Sequence, residues 1–144
     1  MKILRFDHLH MNPADFDKFN ENFQTFMGFD YLMNMPMEQY GTRVAYEPFP
    51  IGVEAFQVTD PEKSQSAKVA SENPGVFCLS FRVENLAEAI KDMESKGWRM
   101  LEYIDNAPIL EALFDTKADL GIYIELVETP FDDLRAMSAQ MAQQ

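Results

Sequence analysis

The sequence predicts an α+β protein of two tandem βαβββ modules whose strands form a curved mixed sheet around a cleft. One observation behind this prediction is a weak internal repeat, and the other is the order of strand and helix signals within each copy. Three pairs of matching residues are separated by 70, 69 and 68 positions, which indicates duplication of a unit of about 70 residues. The pairs are His8 with Cys78, Gly28 with Gly97, and Gln57 with Glu125.

Each copy begins with a strand followed by the start of a helix. The β-rich runs over 3–11 and 76–83 have the length of strands. After the first run, Asn12 is expected to cap a helix in which Pro13 takes the first position. After the second run, Asn85 and Glu88 form the equivalent cap. Both copies are therefore predicted to open as β-α.

The two helices are predicted to be amphipathic, because apolar side chains recur at helical spacing and are expected to lie in the core. Gly28 and Gly97 are expected to end the helices in the left-handed conformation. The core-facing residues are Phe16, Phe19, Phe23, Phe26 and Met27 in the first helix, and Leu86, Ala89, Ile90 and Met93 in the second.

Strand-like stretches complete each copy and set the expected domain limits. They cover 29–33, 42–46 and 53–59 in the first copy, and 98–103, 111–114 and 122–127 in the second. We therefore expect a first module at 1–60, a linker at 61–74 with a short helix near 66–71, a second module at 75–129 and a C-terminal tail at 130–144.

Alternation of side chains along the strands gathers polar groups on one face. If Leu9 and Met11 face the helices, His8 and His10 face the other side. The same reasoning places Phe56 beneath a helix. Imidazole, carboxylate, carboxamide and thiol groups on one surface suit a metal ion. The other members of this predicted face are Gln57, Cys78, Ser80, Tyr123 and Glu125.

Composition excludes several classes of function. Twelve Lys and Arg against 24 Asp and Glu give a net charge of −12, which disfavours nucleic acids and anionic membranes as partners. The single cysteine, Cys78, cannot form an intrachain disulfide and fits a cytoplasmic protein. Neither a secretory signal nor a membrane-spanning segment is expected.

Several motifs in order resemble the vicinal oxygen chelate superfamily, the glyoxalase and bleomycin-resistance proteins, with methylmalonyl-CoA epimerases as the closest members. The resemblance covers residues 4–129 and implies a glyoxalase-like fold and, with it, a homodimer. The runs that carry it are Phe6–Leu9, Gly41–Tyr46, Leu113–Gly121 and Gly121–Val127.

The resemblance also implies a divalent metal held by His8, Gln57 and Glu125. The fourth ligand of the family is a histidine, and Cys78 stands in its place. Three explanations stay open: the Cys78 thiolate is a ligand, His10 supplies an extra imidazole, or no metal is bound. The residues do not distinguish Co, Zn, Ni, Fe and Mn.

The function expected from this resemblance is metal-assisted isomerisation, epimerisation or lyase chemistry by proton transfer next to a carbonyl of a small molecule. Glu125 and His10 are the candidate proton carriers. Arg43 is the candidate carboxylate anchor, Tyr123 a hydrogen-bond donor to an oxyanion, and Phe77 part of the substrate wall. The few basic residues argue against a site for CoA phosphates.

Two other functions stay open. One is metal-free binding of a planar small molecule, as in drug-sequestering members of the superfamily, in a cleft lined by aromatic and Met side chains. The other is an extradiol-type dioxygenase, which is disfavoured because the histidine of the second copy is missing.

Overall fold

The computed structural model describes residues 1–28, 33–47 and 52–131. Its contacts divide the chain into two compact units. We call Met1–His8 together with Cys78–Pro130 the C-terminal unit, and Leu9–Phe77 the N-terminal unit. Most of the strand predicted at 29–33 and nearly all of the tail predicted at 130–144 lie outside the described residues.

The observed elements confirm the α+β class and the βαβββ order in both copies. The short helix expected near 66–71 is present as α2. No helix among the described residues is long and apolar enough to cross a membrane. In chain order the elements are β1 (Ile3–Asn12), α1 (Phe16–Met27), β2 (Met33–Met37), β3 (Thr42–Glu47), β4 (Val53–Val58), α2 (Gln65–Glu72), β5 (Gly75–Val83), α3 (Leu86–Ser95), β6 (Met100–Asn106), β7 (Ile109–Phe114), α4 (Lys117–Leu120) and β8 (Tyr123–Glu128).

The N-terminal unit holds strands in the order β2-β3-β4-β1. The last residues of β1 pair in parallel with β4, and His10 is in register with Glu54. β3 pairs antiparallel with both β4 and β2. The strand over Met33–Met37, which contains Pro36, is not among the predicted strands. β2 is the outermost strand here, and an edge strand tolerates a residue that lacks a backbone N–H.

The C-terminal unit repeats this arrangement with strands in the order β5-β8-β7-β6. β5 pairs in parallel with β8, and Ser80 is in register with Glu125. β7 is antiparallel to β8 and β6. Helix α3 contributes Leu86, Ala89 and Met93 to the core of this unit. Ile124 and Leu126 of β8 belong to the same core, so Tyr123 and Glu125 face away from α3, as predicted.

The cap predicted for α1 is wrong, whereas that of α3 is confirmed. Asp15 caps α1 by accepting a hydrogen bond from the Lys18 backbone N–H. Asn12 instead belongs to β1, and its Nδ2 donates to the Ala70 carbonyl at 2.7 Å. Asn85 caps α3 and accepts from the Glu88 N–H. The role of Asn12 depends on Ala70, which is 58 residues away and which the local sequence pattern does not identify as its partner.

The predicted core face of α1 is correct only near its start. Phe16 is buried against Ala45 and Ala55. Phe26 and Met27, in contrast, are 78% and 58% exposed, so their placement in the core is wrong. Helical spacing shows that these residues share a face, but the extent of the strands beneath the helix decides how much of that face is covered.

Candidate functional site

A buried histidine and a buried glutamate meet in the C-terminal unit. Their Nε2 and Oε2 atoms are 3.7 Å apart, and the side chains of His8 and Glu125 are 5% and 3% exposed. His8 is carried by β1 and Glu125 by β8. Ionisable side chains are rarely this buried without a partner, so the pair is the strongest candidate for a functional centre.

A second buried carboxylate supports the other side of the His8 ring. Asp7 Oδ1 lies 2.9 Å from His8 Nδ1, and Asp7 Oδ2 lies 2.7 Å from an Arg82 guanidinium nitrogen. The side chains of Asp7 and Arg82 are 5% and 7% exposed. A third basic group, the half-exposed Arg5, approaches Asp7 to 3.9 Å. Asp7 and Arg82 were not among the predicted site residues, although an arginine within a β-rich run was a usable signal.

The surroundings of Asp7 favour its ionised form. Burial raises the pKa of Asp7, but the hydrogen bond with His8 and the positive charges of His8 and Arg82 outweigh burial. The net result is a pKa below the ordinary value of an aspartate. Asp7 is therefore a carboxylate at neutral pH and accepts hydrogen bonds only.

Two small residues of β5 lie on the strand beside Tyr123 and Glu125. Ser80 is fully buried in register with Glu125, and its Oγ has no hydrogen-bond partner among the described residues. Cys78 is fully buried in register with Tyr123. Within the described part of the chain, Cys78 belongs to no cluster of three or more His, Cys, Asp or Glu side chains that could share a metal. Its proposed ligand role therefore gains no support.

In the N-terminal unit, His10 is enclosed by aromatic rings and a carboxylate. It stacks on Phe56 with 5.2 Å between ring centroids and meets the edge of Phe77 at 5.6 Å. Its Nε2 lies 3.8 Å from Glu54 Oε2, and the two side chains are 6% and 16% exposed. Phe77, predicted as part of a substrate wall, is only 1% exposed and packs against both His10 and Phe56.

His8 and His10 lie on the same side of β1, as alternation predicted. They are two residues apart on the strand, so alternation places their side chains on one face. Both histidines are buried. β1 thus presents two imidazoles in sequence, each with a glutamate within 4 Å.

The predicted facing of β4 is wrong by one residue. Phe56, expected beneath a helix, contacts His10, whereas Gln57 is exposed on the opposite face. The register pairs Glu54 with His10, and Glu54 is 71 residues before Glu125, close to the repeat of 70 between His8 and Cys78. That spacing was the available signal for Glu54, which was not among the predicted site residues either.

Arg43 lies with Gln57 and away from His10. Its Nε donates to Asn34 Oδ1 at 3.1 Å, and its NH1 group donates to Asp17 Oδ1 at 3.0 Å. Its guanidinium carbon lies 4.8 Å from the centre of the Phe16 ring, so the side chain holds α1 against β3. These contacts describe a packing role, and nothing in them supports a substrate anchor.

Tyr123 keeps its predicted place on β8, two residues before Glu125 and on the same face. The Nζ atom of Lys117 lies 6.0 Å from the centre of its ring. Its predicted contact with substrate stays a prediction.

Solved structures that share this architecture include several methylmalonyl-CoA epimerases. One, in complex with methylmalonyl-CoA and ammonium, is 19% identical, covers 92% of this chain and 99% of its own, and gives a TM-score of 0.76. A Streptomyces coelicolor epimerase in complex with 2-nitronate-propionyl-CoA is 21% identical over 90% of this chain and 100% of its own, with a TM-score of 0.75. The Mycobacterium tuberculosis epimerase is 22% identical over 93% of both chains, with a TM-score of 0.73.

This likeness shows the fold. The epimerases belong to the vicinal oxygen chelate superfamily, so the glyoxalase-like fold expected from the sequence is confirmed. No protein-family profile matches the chain, and no curated protein matches it in sequence.

Proposed function

We propose that the protein is a divalent-metal-dependent enzyme that moves a proton next to the carbonyl group of a small-molecule substrate, in an epimerase-like or isomerase-like reaction. The observation that carries the proposal is the buried His8–Glu125 pair in a chain with the fold of methylmalonyl-CoA epimerases. Both side chains lack exposure to solvent and combine donor types that divalent metals accept.

The donor set fits a metal. Imidazole and carboxylate donors bind Zn²⁺ at about 2.0–2.2 Å, so one ion can contact two donor atoms that are 3.7 Å apart. Catalytic zinc sites commonly have three protein ligands and an open fourth position, so His8 and Glu125 would supply two of the protein ligands of such a site. We therefore assign His8 and Glu125 as ligands and leave out Cys78 and Gln57. When bound, the metal polarises a carbonyl oxygen of the substrate and favours loss of a neighbouring proton.

His10 is the proposed proton carrier. A histidine side chain can serve as a general acid or base, and the Glu54 carboxylate 3.8 Å from Nε2 can orient its ring. The rings of Phe56 and Phe77 exclude water from the other sides of the imidazole. His10 can thus accept a proton from the substrate and return it, while Glu54 balances the charge.

The substrate class is the finer part of this proposal. The epimerase neighbours hold methylmalonyl-CoA or a propionyl-CoA analogue. This chain has a net charge of −12, which does not favour the phosphates of CoA. We therefore propose a substrate whose acidic C–H lies next to a carbonyl or thioester and which carries fewer phosphates than CoA.

A metal and proton-exchange experiment tests the proposal. We expect near-stoichiometric Co, Zn, Ni, Fe or Mn in the purified protein. The metal should be lost in His8→Ala and kept in the control Glu94→Gln, which changes an exposed residue of α3. Exchange of the α-proton in D₂O is then followed by NMR for methylmalonyl-CoA and for its pantetheine thioester, which lacks the nucleotide. We expect His10→Gln to keep the metal and lose exchange. A wild-type protein that binds none of these metals would refute the proposal and favour the metal-free binding alternative.

A further inference from the structure

The Asp7 side chain makes more charged contacts than the pairing of its strand requires. A carboxylate with 5% exposure lies between an imidazole at 2.9 Å and a guanidinium at 2.7 Å. Removing two charges from water costs several kcal/mol per ion, and nonpolar residues of similar size commonly stabilise a core as well. The Asp7–Arg82 pair therefore calls for a role beyond stability.

The contact of Asp7 with His8 determines which ring nitrogen carries the proton. A neutral imidazole has one N–H, and a carboxylate only accepts hydrogen bonds. Asp7 Oδ1 is 2.9 Å from Nδ1, closer than Glu125 Oε2 is to Nε2, so the contacts favour the hydrogen on Nδ1 and the lone pair on Nε2 in the neutral ring. Nε2 is the atom 3.7 Å from Glu125 Oε2. The lone pair is thus directed to the side of the ring where Glu125 lies.

Arg82 holds the Asp7 carboxylate in the position where it contacts the His8 ring. Its guanidinium contacts Oδ2, which leaves Oδ1 for the His8 ring. The side chains of Asp7, His8, Arg82 and Glu125 are each at most 7% exposed, so water competes little for these contacts. The four residues form one line of contacts, Arg82 to Asp7 to His8 to Glu125.

We propose that Asp7, held by Arg82, is a positioning residue that fixes His8 in the Nδ1–H tautomer and so presents Nε2 as a ligand for a divalent cation. The part that concerns the cation rests on the proposed function, whereas the tautomer does not. Carboxylates that orient ligating histidines commonly contribute about 10–100-fold to metal affinity.

Nitrogen NMR of the metal-free protein tests the tautomer directly. The chain has two histidines, so the His10→Gln variant identifies the signals of His8. In alkaline solution, where the ring is neutral, we expect wild-type His8 to carry its hydrogen on Nδ1. In Asp7→Asn the amide can donate as well as accept, and we expect a mixture of tautomers. A wild-type ring with its hydrogen on Nε2 would overturn the proposal.

Zn²⁺ titration of the same variants supplies the second readout. We expect Asp7→Asn to bind Zn²⁺ about 10–100-fold more weakly than the wild type. Asp115→Asn is the matched control, because Asp115 pairs with Arg99 at the surface at 3.2 Å. If Asp7→Asn does not fold, Asp7→Asn combined with Arg82→Gln removes both buried charges. Unchanged affinity in the folded variant would overturn the positioning role. Absence of Zn²⁺ binding in a wild type with the Nδ1–H tautomer would instead refute the proposed function alone.

Discussion

Glu54 pairs with His10 across neighbouring strands in the same way that Glu125 pairs with Ser80. In the first copy, Glu54 on β4 is the register partner of His10 on β1. In the second copy, Glu125 on β8 is the register partner of Ser80 on β5. His10 and Ser80 are 70 residues apart, and the two glutamates are 71 apart. The duplication therefore placed two carboxylates at equivalent positions, and only one of them has a histidine as its register partner.

This equivalence predicts that Glu54, and not Gln57, contributes to the reaction. Glu54→Gln removes the charge beside His10, and we expect α-proton exchange to fall about 10-fold or more, because an acid–base group loses its partner. Gln57→Ala is the control on the same strand, and we expect it to exchange at the wild-type rate. Equal loss in the two variants would contradict the assignment of the β4 face.

A second prediction concerns the hydroxyl of Ser80. Its Oγ is fully buried without a hydrogen-bond partner among the described residues, so Ser80→Ala removes a desolvated polar group. We expect the free energy of unfolding to stay the same or rise by about 1 kcal/mol. If this hydroxyl binds an oxygen of the substrate, kcat/KM falls about 10-fold or more.

Urea unfolding and steady-state kinetics measure the two effects of Ser80→Ala. Ser71→Ala serves as the control, because the Ser71 hydroxyl donates to the Lys68 carbonyl on the exposed side of α2. A Ser80→Ala protein that is less stable would contradict the expected stability, and one that keeps full activity would show that this hydroxyl does not bind substrate.

A third prediction concerns the acid stability that Asp7 provides. Because the pKa of Asp7 is lower in the folded than in the unfolded chain, its contribution to stability is complete above the unfolded value. It is lost as the pH falls through the lowered folded value. At pH 7 we expect Asp7→Asn to lower the free energy of unfolding by about 3–5 kcal/mol, because Arg82 stays buried without its charge partner.

The difference between wild type and Asp7→Asn should shrink as the pH falls below 3.8, the ordinary aspartate pKa. Urea unfolding from pH 7 to pH 2.5 measures it. A difference that does not change with pH would show that packing, and not charge, is lost in Asp7→Asn.

A fourth prediction is that replacing two glycines of nearly the same φ by alanine has different costs in stability. Gly41 and Gly28 have φ of 69° and 68°. A Cβ at Gly41 would collide with the Asp60 carbonyl oxygen, whereas a Cβ at Gly28 would meet nothing within 4 Å. We expect Gly28→Ala to cost about 1 kcal/mol from the left-handed backbone and Gly41→Ala about 3 kcal/mol. Thermal unfolding of the two variants gives the comparison, and equal costs would contradict the close approach at Gly41.

The sequence by itself determined the duplicated βαβββ architecture, the strand that carries His8 and His10, and the facing of Tyr123 and Glu125. These features follow from local periodicity and from the spacing of the repeat, and both can be read directly from the order of residues in the sequence. The tertiary structure alone decided the facing of β4, the exposure of Phe26 and the contacts of Asp7. These features depend on contacts between distant parts of the chain. They are the register between strands, the extent of the surface beneath a helix, and a buried ion pair between residues 75 positions apart.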